Sequence, residues 1–494
     1  MKKINNIIFT SLILLTCLTG CGQRQRKGYM DDDSYTESSS SKDTDISSSG
    51  NDTDISSSGN DTDLYDSKTI VFWHTFGKSN LVNSIETMKE SFLKLPENQG
   101  YKIELLQQGG YTDINDKLLK AIAAKTLPTM AICYPDHVAD YLKAGVVEEL
   151  SSYVTASETA SSEDAVYQFS SSDYITAFWN EGKEYDTKGS LYSVPFSKST
   201  EVMFYNKTFF EKHKIEVPTT WEEVIQVCDA ILKLDEIKNT TDYVAPLGYD
   251  SVDNMFITFC KQLGIPYTSL TEDGSGSFDF NNSEAKEMVQ MIKDWYQAGY
   301  ITTKGSNTYT STKFTEGKLH MTIGSTGGTS YNYPSDGSFE VGVAPLPQWN
   351  EDEPYCIQQG PSVVFFNKNS EYASQIQLEV AWRFYTYITN PTNSATFSIL
   401  SGGYEPVRKS SYQTSAYEAY LNGPTSGKTG LYTKVANLTT TIQDWYFTSP
   451  VFVGSATARN QVGAIISAVC ASEGAITIEK AFSDAYAKCI LSTM

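Results

Sequence analysis

Between Lys68 and His137 the chain alternates strand-like and helix-like segments so regularly that few folds can hold it. Thr69–His74 (TIVFWH) is β-branched and aromatic, the composition of a strand. Leu81, Val82, Ile85, Met88 and Phe92 then recur at helical spacing until Pro96 ends the run. Residues 102–106 form a second strand, and Ile114, Leu118, Leu119 and Ile122 mark a second helix. Met130–Cys133 is a short buried strand before Pro135. Strands joined through helices lie parallel, with the helices on the faces of the sheet. Ligands of such sheets bind beyond the carboxyl ends of the strands. Those ends are His74-Thr75, residues 107–111 and residues 134–137.

The body continues through the locally rich stretch 189–224, GSLYSVPFSKSTEVMFYNKTFFEKHKIEVPTTWEEV. A Tyr/Pro/Phe approach meets the hydroxyls of Ser197, Ser199 and Thr200, a strand follows at 202–205, and Asn206 begins a helical turn. Thr220 and Glu223 fit a capping box ahead of an apolar face made by Trp221, Val224, Ile225, Cys228, Ile231 and Leu232. Further strands are expected at 243–248, 318–324, 339–343 and 362–366. Helices are expected at 254–263, 284–298, 374–388, 462–469 and 478–490. The whole is α/β. At 494 residues it exceeds the ~250–300 at which single cores stop growing, and no flexible linker interrupts the body. Two lobes that exchange several crossings fit this pattern, with the 189–224 stretch as the first crossing.

Upstream of the body the sequence carries an address rather than a fold. Lys2 and Lys3 precede an apolar run at 7–18, too short to favour a spanning helix, and the run ends in Leu18-Thr19-Gly20-Cys21. Leu-x-Gly-Cys at that place resembles the bacterial lipobox, which implies a signal peptide over 1–20, cleavage before Cys21 and lipid on its sulfur. Residues 21–67 read as a solvated acidic tether. They hold TDISSSGND twice and bury too little apolar area to offset chain entropy. Of the formal charge of −21, about half is local, since residues 31–66 carry eleven Asp/Glu and one Lys. A pI near 4.7 excludes the basic footprint that nucleic acid requires. The six cysteines beyond Cys21 form no CxxC pair and no zinc spacing. Cys133, Cys228, Cys260 and Cys470 lie in apolar stretches and are expected to be buried free thiols.

Enzyme signatures are scarce: GxSxG, HExxH, a P-loop and GxGxxG are all missing. The four histidines are too scattered for a metal cluster. His213 reads as a solvated helix residue and His320 as a satisfied core histidine, while His74 and His137 fall at strand ends and are candidate ligand contacts. Asp136 is the acid placed at a strand end beside an aromatic, Tyr134, where a carboxylate could accept two hydroxyl hydrogen bonds from a sugar or polyol. Three small-residue clusters sit at strand edges: Ser197/Ser199/Thr200, Ser325-Thr326-Gly327-Gly328 and Gln359-Gly360-Pro361-Ser362. Short hydroxyls and exposed backbone N–H groups let a polar ligand approach closely.

These residues together resemble a known family. The stretch 188–223, with its spacing G-x-x-Y-x-x-P followed by Tyr205-Asn206-Lys207 and a Pro-x-Thr-Trp helix start, is similar to the hallmark of extracellular solute-binding proteins of sugar-type ABC importers. FTEGKLHMTIGSTGG, VGVAPLP, LPTMAICYPDHVADYLKAGVVEEL and AWRFYTYITNPTNSATFSILSGGYEPVRKSSY match further stretches, over about residues 68–490. The resemblance implies a two-lobed flytrap, with 68–196 and 360–404 in the N-terminal lobe and 197–359 and 405–494 in the C-terminal lobe. It implies a monomer without cofactor or metal that is not an enzyme, and that captures a carbohydrate-like solute for a permease. The segments IVFWH, PFSKST and SGGYEP look closest to glycerol-3-phosphate-binding members. Contacts of that group carry over to Tyr111, Asp136, Ser199 or Thr200, Ser325, Gly360 and Tyr404, with His74 added from its strand end. The group's phosphate-binding arginine would fall near Phe452, where there is none; Arg459 is the nearest. A neutral oligosaccharide is therefore the preferred ligand, glycerol phosphate or its diesters the alternative, and a surface glycan hydrolase the rival from another class.

Overall fold

A computed structural model describes residues 68–160, 169–271, 275–304, 308–366, 373–471 and 476–494. The signal segment, Cys21 and the tether lie outside them. Two main sheets organise the body. The first runs β2-β1-β3-β13-β4, from Lys102–Gln107 (β2), Thr69–His74 (β1), Met130–Cys133 (β3), Ser362–Phe365 (β13) and Ser193–Pro195 (β4). Here β1 pairs parallel with β2 and β3, as the alternating sequence requires, and β13 closes the sheet antiparallel to β3 and β4. The second runs β14-β12-β5-β10-β6-β9, from Tyr446–Phe447, Cys356–Gln359, Ser199–Asn206, Met321–Ser325, Leu247–Tyr249 and Ile301–Thr303. Val341–Pro345 (β11) pairs with Val202–Asn206 of β5, and β12 continues beside Ser199 and Thr200. A small hairpin, Thr268–Leu270 (β7) and Gly276–Phe278 (β8), stands apart.

Helices cover both sheets. Ser79–Leu93 (α1), Tyr111–Ala124 (α2) and Pro135–Lys143 (α3) follow β1, β2 and β3 in turn. The helix Gln375–Ile388 returns to the first sheet, where Gln377 donates to the Thr69 carbonyl at 2.7 Å and Phe384 packs edge-on against Phe72 and Phe92. In the second sheet the apolar run of β5 serves two cores. Met203 faces the main one, while Val202 and Phe204 face a cluster with Phe314, Phe339 and Leu431. A strand covered on both faces reads as continuously apolar rather than alternating. The capping box before Trp221 is present, with Thr220 Oγ1 accepting from the Glu223 amide and the Glu223 carboxylate from the Thr220 amide.

Three expectations shift. The strand expected at 243–248 pairs only over Leu247–Tyr249, because Pro246 has no N–H to donate and its carbonyl takes the amides of His320 and Met321 instead. Pro135 and Asp136 are not merely a strand end: they open α3, with Pro135 in the first turn, where its missing N–H costs nothing. His320 is in the core, stacked on Phe209 at 3.6 Å, yet neither ring nitrogen has a hydrogen-bond partner among the described residues. All six cysteines described are buried and free.

The chain passes between the sheets at 196–198 and at 360–361, and a third strand of backbone joins them where Glu405 bridges Lys198. The Glu405 amide donates to the Lys198 carbonyl at 2.6 Å. Lys198 is wholly buried. Its ammonium pairs with the Glu181 carboxylate and also donates to Ser362 Oγ (2.9 Å) and the Gly360 carbonyl (3.3 Å). Glu181 takes two more hydrogen bonds, from Gln358 at 2.8 Å and Ser362 at 3.0 Å. All three crossings are thus tied to one buried ion pair.

Candidate functional site

One wall is built by the segments that follow β2 and β3. Tyr111, first residue of α2, stacks face to face on Tyr134, the residue before α3, with ring centroids 3.8 Å apart. Gly109 precedes this corner at φ +98°, a backbone that favours glycine, and the Asp113 carboxylate caps the Gly110 amide at 2.9 Å. One residue beyond Pro135, Asp136 projects from the first turn of α3. His137 beside it is pushed down to about 4, first by burial and then by Arg459, against the opposing pull of Asp136, so its imidazole is neutral near pH 7.

Arg459 reaches Asp136 from the other side. It lies on the helix Ser455–Ala471, which packs against the helix Val252–Leu263 of the second sheet's layer. The approach is close because Gly463, one turn beyond Arg459, faces Asp253; a Cβ there would stand 3.1 Å from the Asp253 Cβ. Arg459 Nε donates to Asp136 Oδ2 at 2.7 Å and Nη1 to Asn254 Oδ1 at 2.7 Å, with Asp253 Oδ2 at 3.6 Å. Behind them Asn254 donates to the fully buried Glu201, which also accepts from the Tyr249 hydroxyl at 2.6 Å. Burial works against the guanidinium's proton, but Asp136 and Asp253 outweigh it and hold Arg459 above its ordinary range. This pair, 323 residues apart in sequence, joins helices that belong to different sheets.

The remaining residues singled out by the sequence are distributed unevenly. Ser199 and Ser325 meet, Ser325 Oγ donating to Ser199 Oγ at 3.3 Å and accepting from the Gly327 amide at 3.2 Å. The ring of Tyr404 lies over Gly327, where an added Cβ would be 3.1 Å from it. Thr200 is fully buried and its hydroxyl is committed to the Ile357 carbonyl at 2.8 Å, so of the two neighbours Ser199 is the one beside Ser325. Gly360 sits in a crossing at φ +96°, where a Cβ would stand 2.7 Å from the Ser197 carbonyl oxygen. His74 is buried, stacked on Phe76, and its Nδ1 accepts from the Phe76 amide at 3.2 Å; burial lowers it to about 4. These contacts hold the β1 corner together and give His74 a structural task.

One contact escaped the sequence. Lys78 reaches from the loop after β1 to Ser330 Oγ at 3.4 Å and stands 5.0 Å from the centre of the Tyr331 ring. Phe452, where the resemblance sought an arginine, is buried against Phe278. It helps line a cavity of about 550 Å3 between Ala139 and Lys143 of α3 and Tyr486 of the last helix. Arg459, the nearest arginine in the sequence, lies seven residues on.

Two α/β layers that clasp one another across their strand ends over a tied set of crossings define a two-lobed binding protein. The chain belongs to the bacterial extracellular solute-binding proteins, whose family profile matches residues 87–425. It is 24% identical over 366 residues to the sn-glycerol-3-phosphate-binding periplasmic protein UgpB of Escherichia coli (strain K12), covering 71% of this chain and 77% of that one. Among solved structures, UgpB from Mycobacterium tuberculosis in complex with glycerophosphocholine superposes with a TM-score of 0.68 at 18% identity, over 86% of this chain and 98% of that one. The substrate-binding protein Lmo0181 from Listeria monocytogenes in complex with cycloalternan gives 0.65 at 16% identity, over 87% and 99%.

Proposed function

We propose that this chain is the substrate-binding component of an ABC import system, which captures a carbohydrate-like solute between its lobes and presents it to the permease. The observation that carries this reading is the contact of Asp136 with Arg459. It brings the two walls within hydrogen-bonding distance, so a solute held there touches both lobes. A ligand favours closure only through such differential contact, and periplasmic binding proteins close about a hinge around what they bind. The lobes are 68–196 with 360–404 and 197–359 with 405–494. Tyr111, Asp136, Ser199, Ser325 and Tyr404 contact the solute, Gly360 supplies hinge backbone, and Thr200 and His74 position their neighbours. The stacked tyrosines suit a pyranose face and the paired serines its hydroxyls. The structural relatives hold cycloalternan in one case and glycerophosphocholine in the other, which supports a polyhydroxylated ligand. The protein acts as a monomer, without catalysis, held to the outer face of the membrane by lipid on Cys21. A thermal-shift screen of neutral oligosaccharides and glycerophosphodiesters tests this: a true ligand at 100 times its Kd adds about 2.7 kcal/mol. Turnover of a sugar by the purified protein, or silence across both classes, overturns it.

A further inference from the structure

We propose that the cavity flanked by α3, the β7–β8 hairpin, residues 451–453 and the last helix is a second binding site, one that takes an aromatic carboxylate. It goes beyond the capture of a solute in the cleft and does not depend on which solute that is. The space measures about 550 Å3, within the size range of small-molecule sites, which favour junctions between domains. Protein interiors rarely keep voids larger than a water molecule. Ala139, Leu142 and Tyr185 line it from the first sheet's layer, and Phe278, Phe452 and Tyr486 from the second's. Along α3, Ala139 stands one turn beyond Asp136. The contact of Asp136 with Arg459 therefore lies between this space and the Tyr111–Tyr134 corner.

Two glycines fix the far wall. Gly276 lies under the Phe452 ring, where an added Cβ would be 1.8 Å from Cδ2, and the centres of the Phe452 and Phe278 rings are 5.3 Å apart. Gly454 turns the chain at φ +100°. A Cβ there would stand 3.0 Å from Phe278 and from Ser492 and Thr493 of the last helix, Ile478–Thr493. Backbone thus seats both rings at the edge of the space. Tyr185 commits its hydroxyl to Ser193 Oγ at 2.7 Å and offers the cavity an apolar ring. Such walls suit a flat aromatic guest, which gains from stacked and edge contacts with other rings. The rim is polar, with Lys143, Ser275 and Thr493 exposed. Among the described residues that line the cavity, Lys143 is the one cation, none is an acid, and Lys143 forms no ion pair. Its ammonium suits a carboxylate left at the mouth, a contact that in so exposed a place changes affinity only a few-fold.

The test is calorimetric titration of cinnamate and of the uncharged cinnamyl alcohol into the full chain, with no sugar present. Wild type should bind one cinnamate per chain at submillimolar Kd, and the alcohol about threefold more weakly. Ala139→Leu and Val453→Trp add bulk to the space from opposite layers, and each should weaken cinnamate binding at least tenfold. Either one keeps the test alive if the other fails to fold. Lys143→Met should bring cinnamate down to the affinity of the alcohol and leave the alcohol unchanged, and Lys143→Arg should keep the wild-type difference. Absence of saturable cinnamate binding by wild type up to millimolar concentration overturns the proposal. Wild-type affinity in every filled variant that folds overturns it too, as does equal affinity of wild type for acid and alcohol. Since no solute is present in the titration, failure of the carbohydrate reading would leave each of these outcomes as it stands.

Discussion

Lys198 and Glu181 show how much a single pair of residues can decide in this molecule. Both are buried beneath the crossings, and each carries a charge that burial alone would forbid. Together with Ser362, Gln358 and the Gly360 carbonyl, they satisfy one another's donors and acceptors. Removing one member of such a pair strands the other, at a cost of about 3–5 kcal/mol, whereas replacing both by apolar groups is often nearly neutral. Lys198→Met should therefore lower the denaturation midpoint strongly, and Lys198→Met with Glu181→Leu should recover much of the loss. Equal instability of the single and the double variant would show that the network contributes through something other than charge pairing. The sequence marked Ser197, Ser199 and Thr200 but passed over Lys198 between them. Its partner lies 17 residues away on a different element, and no local pattern announces a buried ion pair. The contact of Arg459 with Asp136 escaped for the same reason on a larger scale.

At the level of elements, legibility followed periodicity and caps. Met130–Cys133 was readable to the residue from its apolar run, and the helix Trp221–Leu232 from Thr220, Glu223 and a clean apolar face. The helix Gly427–Thr441 was not seen at all. Its sequence, GKTGLYTKVANLTTT, is rich in glycine and threonine, and the helix survives by packing on β11 rather than by propensity. These two helices make opposite predictions about local control. Thr220→Ala removes an N-cap that serves the Glu223 amide, and should cost about 1 kcal/mol in denaturant unfolding. Thr220→Ser should cost far less, since it keeps the hydroxyl. If alanine and serine proved equally destabilising, the loss would lie in the threonine methyl's packing and the cap would be unimportant. The cleft is intermediate: Tyr111 and Tyr134 sit at strand ends that the alternating pattern marked, and Ser199 and Ser325 in small-residue clusters at strand edges, but the meeting of Asp136 with Arg459 depends on tertiary approach.

For the molecule as a whole, the third crossing adds a dependence on pH. Glu405 is buried with its backbone paired to Lys198, and its carboxylate accepts from the Tyr446 hydroxyl at 2.7 Å and the Tyr412 hydroxyl at 3.5 Å. Tyr417, Cys356, Thr439 and Gln443 are its other polar and titratable neighbours. Burial raises it to about 7, with the hydrogen bonds from Tyr446, Gln443, Tyr412 and Thr439 working the other way. A raised carboxyl favours the folded state while it is protonated. That contribution is complete below the unfolded value near 4.5 and is lost as pH rises through 7, a change on the order of 3 kcal/mol. His74 and His320, which are buried, and the half-buried His137, each lowered to about 4 by loss of solvation, act in the other direction: their contribution is present above 6.5 and lost as pH falls toward 4. Wild-type stability should therefore peak between about pH 6 and 7. Glu405→Gln keeps the side chain neutral and separates the two effects. Its stability relative to wild type should grow from pH 5 to pH 8, measured as the difference in denaturation midpoints, while both proteins weaken together below 6.5. Parallel curves from pH 5 to 8 would mean that Glu405 is already ionised in the fold, and that the crossing holds a carboxylate among its tyrosines.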